Sequence, residues 1–472
     1  MVFSSPIFLY AFLPLLLAAY YIIRNDTYRR AVLVLFSLVF YACGEPKNVL
    51  LMIALVAADY LFGLLVGNEN AKPGVRRLFL VLAAVLNLGV LGFFKYLGFF
   101  CSNLNSVFGP GIAVPDVALP IGISFFTFQA LSYVIDVYRG DAEPQRSFFS
   151  LLLYVSFFPQ LIAGPIVRYK DIADQLSDRT VDIAKINDGL YRFAVGLGKK
   201  VLIADSCSTV VSALYGLEQP TVLGRWAAAL FFTLQLYFDF SGYSDMAVGL
   251  GKMFGFEFRE NFDHPLAARS ATDFWRRWHI SLGSFFRDYV YIPLGGNRRA
   301  QLRNILIVWL LTGLWHGASW NFVLWGLYYA VLLILEKTFL LKLFDLLPKA
   351  VSFVVSHVWT LFITVFGFAI FYSDGGFPTL LRDISLLFGG GAEGCLSDIF
   401  TESLIVNNVF LLAAAAILST PLAAKLLSSL SARIGSYALT RIVKTVLLTV
   451  LIAVCTVRLV GNTYSPFLYF RF

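Results

Sequence analysis

Four predominantly apolar runs, residues 48–66, 78–100, 351–371 and 439–460, are each about as long as a bilayer is thick. Nothing constrains this chain more. Inside hydrocarbon no water satisfies a backbone N–H or C=O, so a spanning segment must close its own hydrogen bonds, which an α-helix does. The remaining sequence fits the same class. Of 472 residues 58% are hydrophobic and 14% charged, against about 25% charged in soluble domains. The apolar content is enough for roughly ten to twelve spans of ~20 residues. The expected fold is all-α and polytopic, one integral-membrane domain over residues 1–472, with no internal repeat and no soluble domain.

The net charge of +8 sits mostly in short loops, around Arg24, Arg29 and Arg30 and again at Lys72, Arg76 and Arg77. Loop retention on the cytoplasmic side accounts for it, and membrane lipid rather than nucleic acid is the expected partner. The run 6–23 lacks a charged n-region and reads as a retained first span rather than a removed signal. Five scattered cysteines show no metal spacing, and no metal is expected.

Two stretches carry helix breakers inside apolar sequence: Leu119-Pro120-Ile121-Gly122 leading to Gln129, and Phe157-Phe158-Pro159 leading to Gly164-Pro165. Irregular backbone at membrane depth must be buried in protein or line a cavity. Gln129, Tyr133 and Asp136 draw a polar line down the first. Residues 223–240 read as a span that ends at Tyr237-Phe238-Asp239, with Asp245 close behind. Asp239 and Asp245 either orient a catalytic group or cap the helix end.

Residues 273–289 place Phe274, Trp278, Leu282, Phe285 and Tyr289 at helical spacing, with Arg276, Arg277, Arg287 and Asp288 opposite. That predicts an amphipathic interfacial helix ended by Pro293 and Gly295-Gly296. His279 falls at the edge of its apolar face, either functional or packed. Arg276, Arg277 and Arg287 could hold the phosphates of a donor such as coenzyme A. Contact with anionic lipid is the commoner use of such a cluster.

The apolar run 305–335 is interrupted by Trp315-His316-Gly317-Ala318-Ser319-Trp320-Asn321. A titratable ring there is costly without a task, and intramembrane ionisable groups mark functional sites. His316, flanked by small residues and by Trp309, Trp315, Trp320 and Trp325, suits a general base that removes a proton from a hydroxyl. The alternative is a histidine that only packs. His264 and His357 receive no role. Farther on, a short helix is expected near 378–388, spans near 404–418 and 439–460, and an aromatic interface anchor at 464–472.

Stretches 119–129, 158–168, 237–246, 273–298, 315–325 and 466–472, in this order, resemble the membrane-bound O-acyltransferases, most of all the branch that O-acetylates bacterial alginate. The resemblance runs over nearly the whole length. It implies a ring of roughly 11 tilted transmembrane helices, with re-entrant and interfacial helices, around a central funnel or tunnel. It implies that His316 is the catalytic histidine and His279 the second residue tied to activity. Trp278, Trp315, Trp320, Asn321, Gln129, Asp239 and Asp245 are expected to line the tunnel or touch substrate. The donor would be acetyl-CoA or another acyl thioester, including one on an acyl carrier protein, arriving from the cytoplasm. No tightly bound cofactor is implied. An extracytoplasmic SGNH-hydrolase-like acetyltransferase would pass the acetyl group to an exported polysaccharide. The setting would be the bacterial cell membrane. D-alanyl transfer to teichoic acid and peptidoglycan O-acetylation are the alternatives within the family. A proton-coupled transporter with His316 and His279 as a relay is the alternative of another class. No serine nucleophile elbow is present, so direct transfer is expected.

Overall fold

The computed structural model describes residues 1–115, 117–373, 376–390, 395–434, 437–461 and 467–468. Every regular element among them is helical. Five helices are long and apolar enough to cross a membrane: Asn48–Val66, Pro73–Phe108, Trp320–Asp345, Lys349–Tyr372 and Leu439–Gly461. Ile399–Asn407 and Val409–Leu418 form a sixth candidate, bent by 51°. Other apolar sequence is cut into shorter helices such as Phe148–Ser156 and Gln301–His316, which is why fewer helices reach spanning length than the composition allows. The short helix expected near 378–388 is Phe377–Leu387. The tail 464–472 lies outside the described residues except for Phe467 and Leu468.

The chain divides into two compact units, residues 1–193 with 243–259, and residues 194–242 with 260–472. In the first, the Pro-Gly break before Gln129 is a sharp helix start. Gly122 has φ +77°, and a Cβ there would stand 2.8 Å from the Leu161 carbonyl oxygen, so glycine is needed on both counts. The helix that follows, Ile123–Arg139, is almost wholly buried, with Gln129, Tyr133 and Asp136 inaccessible. The polar line expected there is thus buried in protein. Around it the Tyr154 hydroxyl donates to the Val167 carbonyl at 2.9 Å and lies 3.0 Å from Ser132 Oγ. Arg168 pairs with Asp171 at 2.9 Å, and Arg259 adds a second cation at 2.8 Å.

The structure departs from the sequence expectation in two places. The helix expected to end near residue 240 continues, as Val222–Met253. No proline interrupts it, and its acidic side chains find cations along its length. The single amphipathic helix over 273–289 is instead two short ones, Ala271–Arg277 and Ile280–Phe286, followed by a wide turn over Arg287–Tyr291. His279, at the junction, has φ +45°, a conformation that ends a right-handed helix. The apolar run 305–335 breaks within its interruption at 315–321. Gln301–His316 and Trp320–Leu335 are separate helices joined through Gly317-Ala318-Ser319 and packed against each other.

That packing is close. A Cβ on Gly326 would collide with the Trp309 carbonyl, and one on Gly313 with the Phe322 carbonyl. Small residues at such crossings let helix backbones touch, which is how helices associate where lipid removes the hydrophobic incentive. Behind them lies a core of Trp325, Tyr329, Phe274, Trp278, Phe368 and Phe371.

Candidate active site

His316 is the last residue of Gln301–His316. Gly317 leaves the helix in extended backbone, and the Phe322 ring fills the space a side chain at 317 would need. The imidazole is 7% exposed. Trp315, Trp325 and Phe371 meet it edge-on with ring centroids at 5.1 Å each. Asn321 buttresses this arrangement, since its side-chain amide donates to the Phe371 carbonyl at 3.0 Å.

His279 is set by the broken helix. It is 2% exposed, and its Nδ1 lies 3.1 Å from Asn261 Oδ1. The Phe240 ring covers it at 4.7 Å and Trp315 stands 5.8 Å away. Trp315 therefore touches both imidazoles. His279 lies outside the membrane-capable helices, and burial pushes its imidazole down to about 3 because desolvation penalises the charged form.

One cavity of about 280 Å³ receives both histidines. Trp275, Trp278, Trp309 and Thr312 contribute to its wall, and Arg276, Arg287 and Lys337 are its cations. Tyr291 and Asn297 add polar groups. An aromatic wall excludes water, and the cations suit an anionic substrate. Two imidazoles in such a space suit proton transfer.

The remaining candidates fall elsewhere. Arg277 does not line the cavity but pairs with Asp273 at 2.9 Å, one helical turn away. Trp320 is 42% exposed and also outside it. Asp239 is buried in an ion pair with Lys200 at 2.9 Å and accepts the Leu468 backbone N–H at 2.7 Å. Gln129 and Asp245 belong to the other compact unit, where Asp245 pairs with Arg192 at 2.7 Å. Lys337, Thr312, Tyr291, Asn297 and Asn261 escaped the sequence reading. Thr312 was legible, being one turn before His316 on its helix. Lys337 and Asn261 reach the site only through long-range folding. Among the described residues no group of three His, Cys, Asp or Glu side chains is placed to hold a metal ion.

Residues 84–373, which contain the whole cavity, match the family model of the membrane-bound O-acyltransferases. The chain belongs to that family. This membrane O-acyltransferase is 38% identical to the probable alginate O-acetylase AlgI of Pseudomonas putida, over the full length of both chains. It is 44% identical to the Pseudomonas aeruginosa protein of the same description, over 71% of this chain and 66% of that one. The peptidoglycan O-acetyltransferase of Helicobacter pylori is 38% identical over 72% of this chain and 71% of its own. The teichoic acid D-alanyltransferase of Bacillus subtilis is 29% identical over 53% of this O-acyltransferase and 68% of its own length.

Proposed function

We propose that this O-acyltransferase takes an acetyl group from acetyl-CoA on the cytoplasmic side of a bacterial inner membrane and delivers it outward for O-acetylation of an exported, alginate-type polysaccharide. The observation that carries the reading is the shared cavity: His316 and His279 line the same space as Arg276, Arg287 and Lys337. The cations hold the donor's phosphates by charge-assisted hydrogen bonds. The aromatic cavity takes the acyl group and the neighbouring arm.

His316 is the general base. The acceptor oxygen attacks the thioester carbonyl, His316 takes its proton, the C–S bond breaks, and the proton passes to the departing thiolate. Trp275, Trp278 and Trp309 exclude the water that would otherwise hydrolyse the thioester. The implied ring of about eleven tilted helices would bring the acceptor to the opposite side of this cavity. An SGNH-hydrolase-like partner outside would carry the acetyl group to the glycan. Full-length similarity to a probable alginate O-acetylase supports acetyl as the group moved. The peptidoglycan O-acetyltransferase relative supports a second acceptor, the cell-wall glycan.

Two measurements test this. Purified protein in liposomes should consume acetyl-CoA, and His316→Ala should lower that turnover by about 10²- to 10⁴-fold without loss of folded protein. Mass spectrometry of surface polysaccharide from cells with and without the protein should show O-acetyl groups only in its presence. Turnover that survives His316→Ala refutes the assigned base. Unchanged glycan refutes the acceptor.

A further inference from the structure

Asn261 is buried beside His279, and its side-chain oxygen is where three groups converge. Ser281 Oγ donates to it at 2.8 Å, the Ser281 backbone N–H at 3.2 Å, and His279 Nδ1 lies at 3.1 Å. The backbone N–H can only donate, so the Asn261 atom facing it is the carbonyl oxygen and not the amide nitrogen. That oxygen has only lone pairs to offer. Ser281 Oγ also lies 3.4 Å from Nδ1, but its proton goes to Asn261 Oδ1 at 2.8 Å, and a bare Nδ1 3.1 Å from that oxygen would set lone pair against lone pair, so Nδ1 carries the proton.

The consequence lies on the other side of the ring. In a neutral imidazole one nitrogen holds the proton and the other the lone pair. With Nδ1 protonated, Nε2 is bare. Among the described residues Nε2 is buried and meets no hydrogen-bond partner, and His279 lines the cavity. An unpartnered buried acceptor is unfavourable unless a ligand supplies the donor.

We propose that Asn261 is a positioning residue for acyl transfer, holding His279 in the Nδ1–H tautomer so that its Nε2 lone pair is presented to a substrate N–H or O–H in the cavity. The same side chain also fixes the ring's direction. Asn261 accepts the Ile280 N–H on its backbone oxygen at 3.0 Å and the Ser281 N–H on its side chain, which holds the turn at His279 with its φ of +45°. The titratable and charged groups sharing the cavity are Arg276 and Arg287 from the flanking short helix and turn, Tyr291, His316 from its helix, and Lys337. Phe240 and Trp315 cover the ring itself. None of these is a carboxylate, so nothing lining the cavity would draw a second proton onto His279.

The inference rests on the cavity being the acyl-transfer site, but its first test does not need activity. The chain has four histidines. Protein labelled with ¹⁵N-histidine and reconstituted in liposomes at pH 7.5 should show one resonance pair, lost in His279→Gln, of the Nδ1–H tautomer with a bare Nε2. In Asn261→Leu that pair should become a mixture or the Nε2–H form. A wild-type His279 found as the Nε2–H tautomer overturns the proposal.

The second test uses acetyl-CoA turnover. Asn261→Leu should lower kcat by about 10- to 100-fold with KM little changed, by analogy with the loss of an orienting partner from a metal-bound histidine. Asn261→Asp keeps the acceptor and adds a charge. It should restore kcat to within a few fold and move the acid limb of the pH profile upward. A folded Asn261→Leu with wild-type kcat, or an Asn261→Asp whose acid limb does not move, refutes the role. If Asn261→Leu does not fold, the wild-type spectrum and the Asn261→Asp profile decide. If His279→Gln itself keeps full turnover, the reading of the cavity falls, whichever tautomer is seen.

Discussion

Gly313 and Gly326 face each other where the two helices flanking the His316 turn cross: a Cβ on Gly313 would stand 3.3 Å from the Gly326 Cα. The same Cβ would collide with the Phe322 carbonyl, which belongs to backbone and cannot rotate away. The pair sets the distance between the helix that carries His316 and the helix that carries Trp325 against it.

Substitution there should be disruptive even when small. Gly313→Ala should cost about 1–3 kcal/mol as overpacking, and Gly326→Leu more. Thermal unfolding of the detergent-solubilised protein, followed by size-exclusion chromatography, checks this. Wild-type melting for Gly326→Leu would show that the crossing is looser than described.

The cavity's cations should act on binding rather than on chemistry. Arg276→Gln, Arg287→Gln and Lys337→Gln should each raise KM for acetyl-CoA by roughly three- to tenfold with kcat nearly kept, the modest size reflecting solvent screening. Added salt should shrink the difference. Arg277→Gln should change KM less, because Arg277 lies outside the cavity and is held by Asp273, whereas Arg287, although it also pairs with Asp288 at 2.7 Å, lines it. Initial rates at varied acetyl-CoA, at low and high salt, separate these outcomes.

Asp239 should prove structural. It shares the buried Lys200 ammonium with Asp205, which lies 2.6 Å from it. Asp239→Ala should destabilise the protein by about 3 kcal/mol, the low end for breaking a buried pair, because Asp205 remains. It should also release the backbone at Leu468 and make the C-terminus a better protease substrate. Limited carboxypeptidase digestion of the two proteins reads that directly.

His279 makes stability depend on pH with a definite sign. Its folded-state value of about 3 lies below the ordinary 6.5. Between those values the unfolded chain binds a proton that the folded protein refuses, so stability falls as pH drops from 6.5 toward 3 and is complete above 6.5. His279→Gln should flatten that part of the melting-temperature profile. An identical slope in the two proteins would show that His279 takes up its proton without unfolding.

Much of the site was legible because membrane insertion makes polar residues conspicuous. His316, Trp278, Arg276 and Arg287 stood out against apolar surroundings, and all four line the cavity. What misled was the assumption of one continuous helix over 273–289. On an unbroken helix Arg276, Arg277 and Arg287 share an arc. The turn at His279 resets the register of Arg287 alone, while Arg277 pairs with Asp273 one turn back on the short helix before it. Trp320 belonged to the expected aromatic wall by proximity in sequence, but it lies past the Gly317 turn, partly exposed and outside the cavity.

The amino-acid sequence alone determined that this chain is helical and membrane-embedded, and it singled out His316 as a candidate for chemistry. Apolar runs of bilayer length are satisfied by helical hydrogen bonding, and His316 differs from the other intramembrane imidazole, His357, in being flanked by small residues and tryptophans. Only the tertiary structure decided which groups share a cavity with that imidazole. Asn261, which holds His279, lies 55 residues before His316, and Lys337, which lines the cavity, 21 residues after it. No local periodicity links such positions. The turn at His279 and the backbone contact at Gly313 and Gly326 bring them into place.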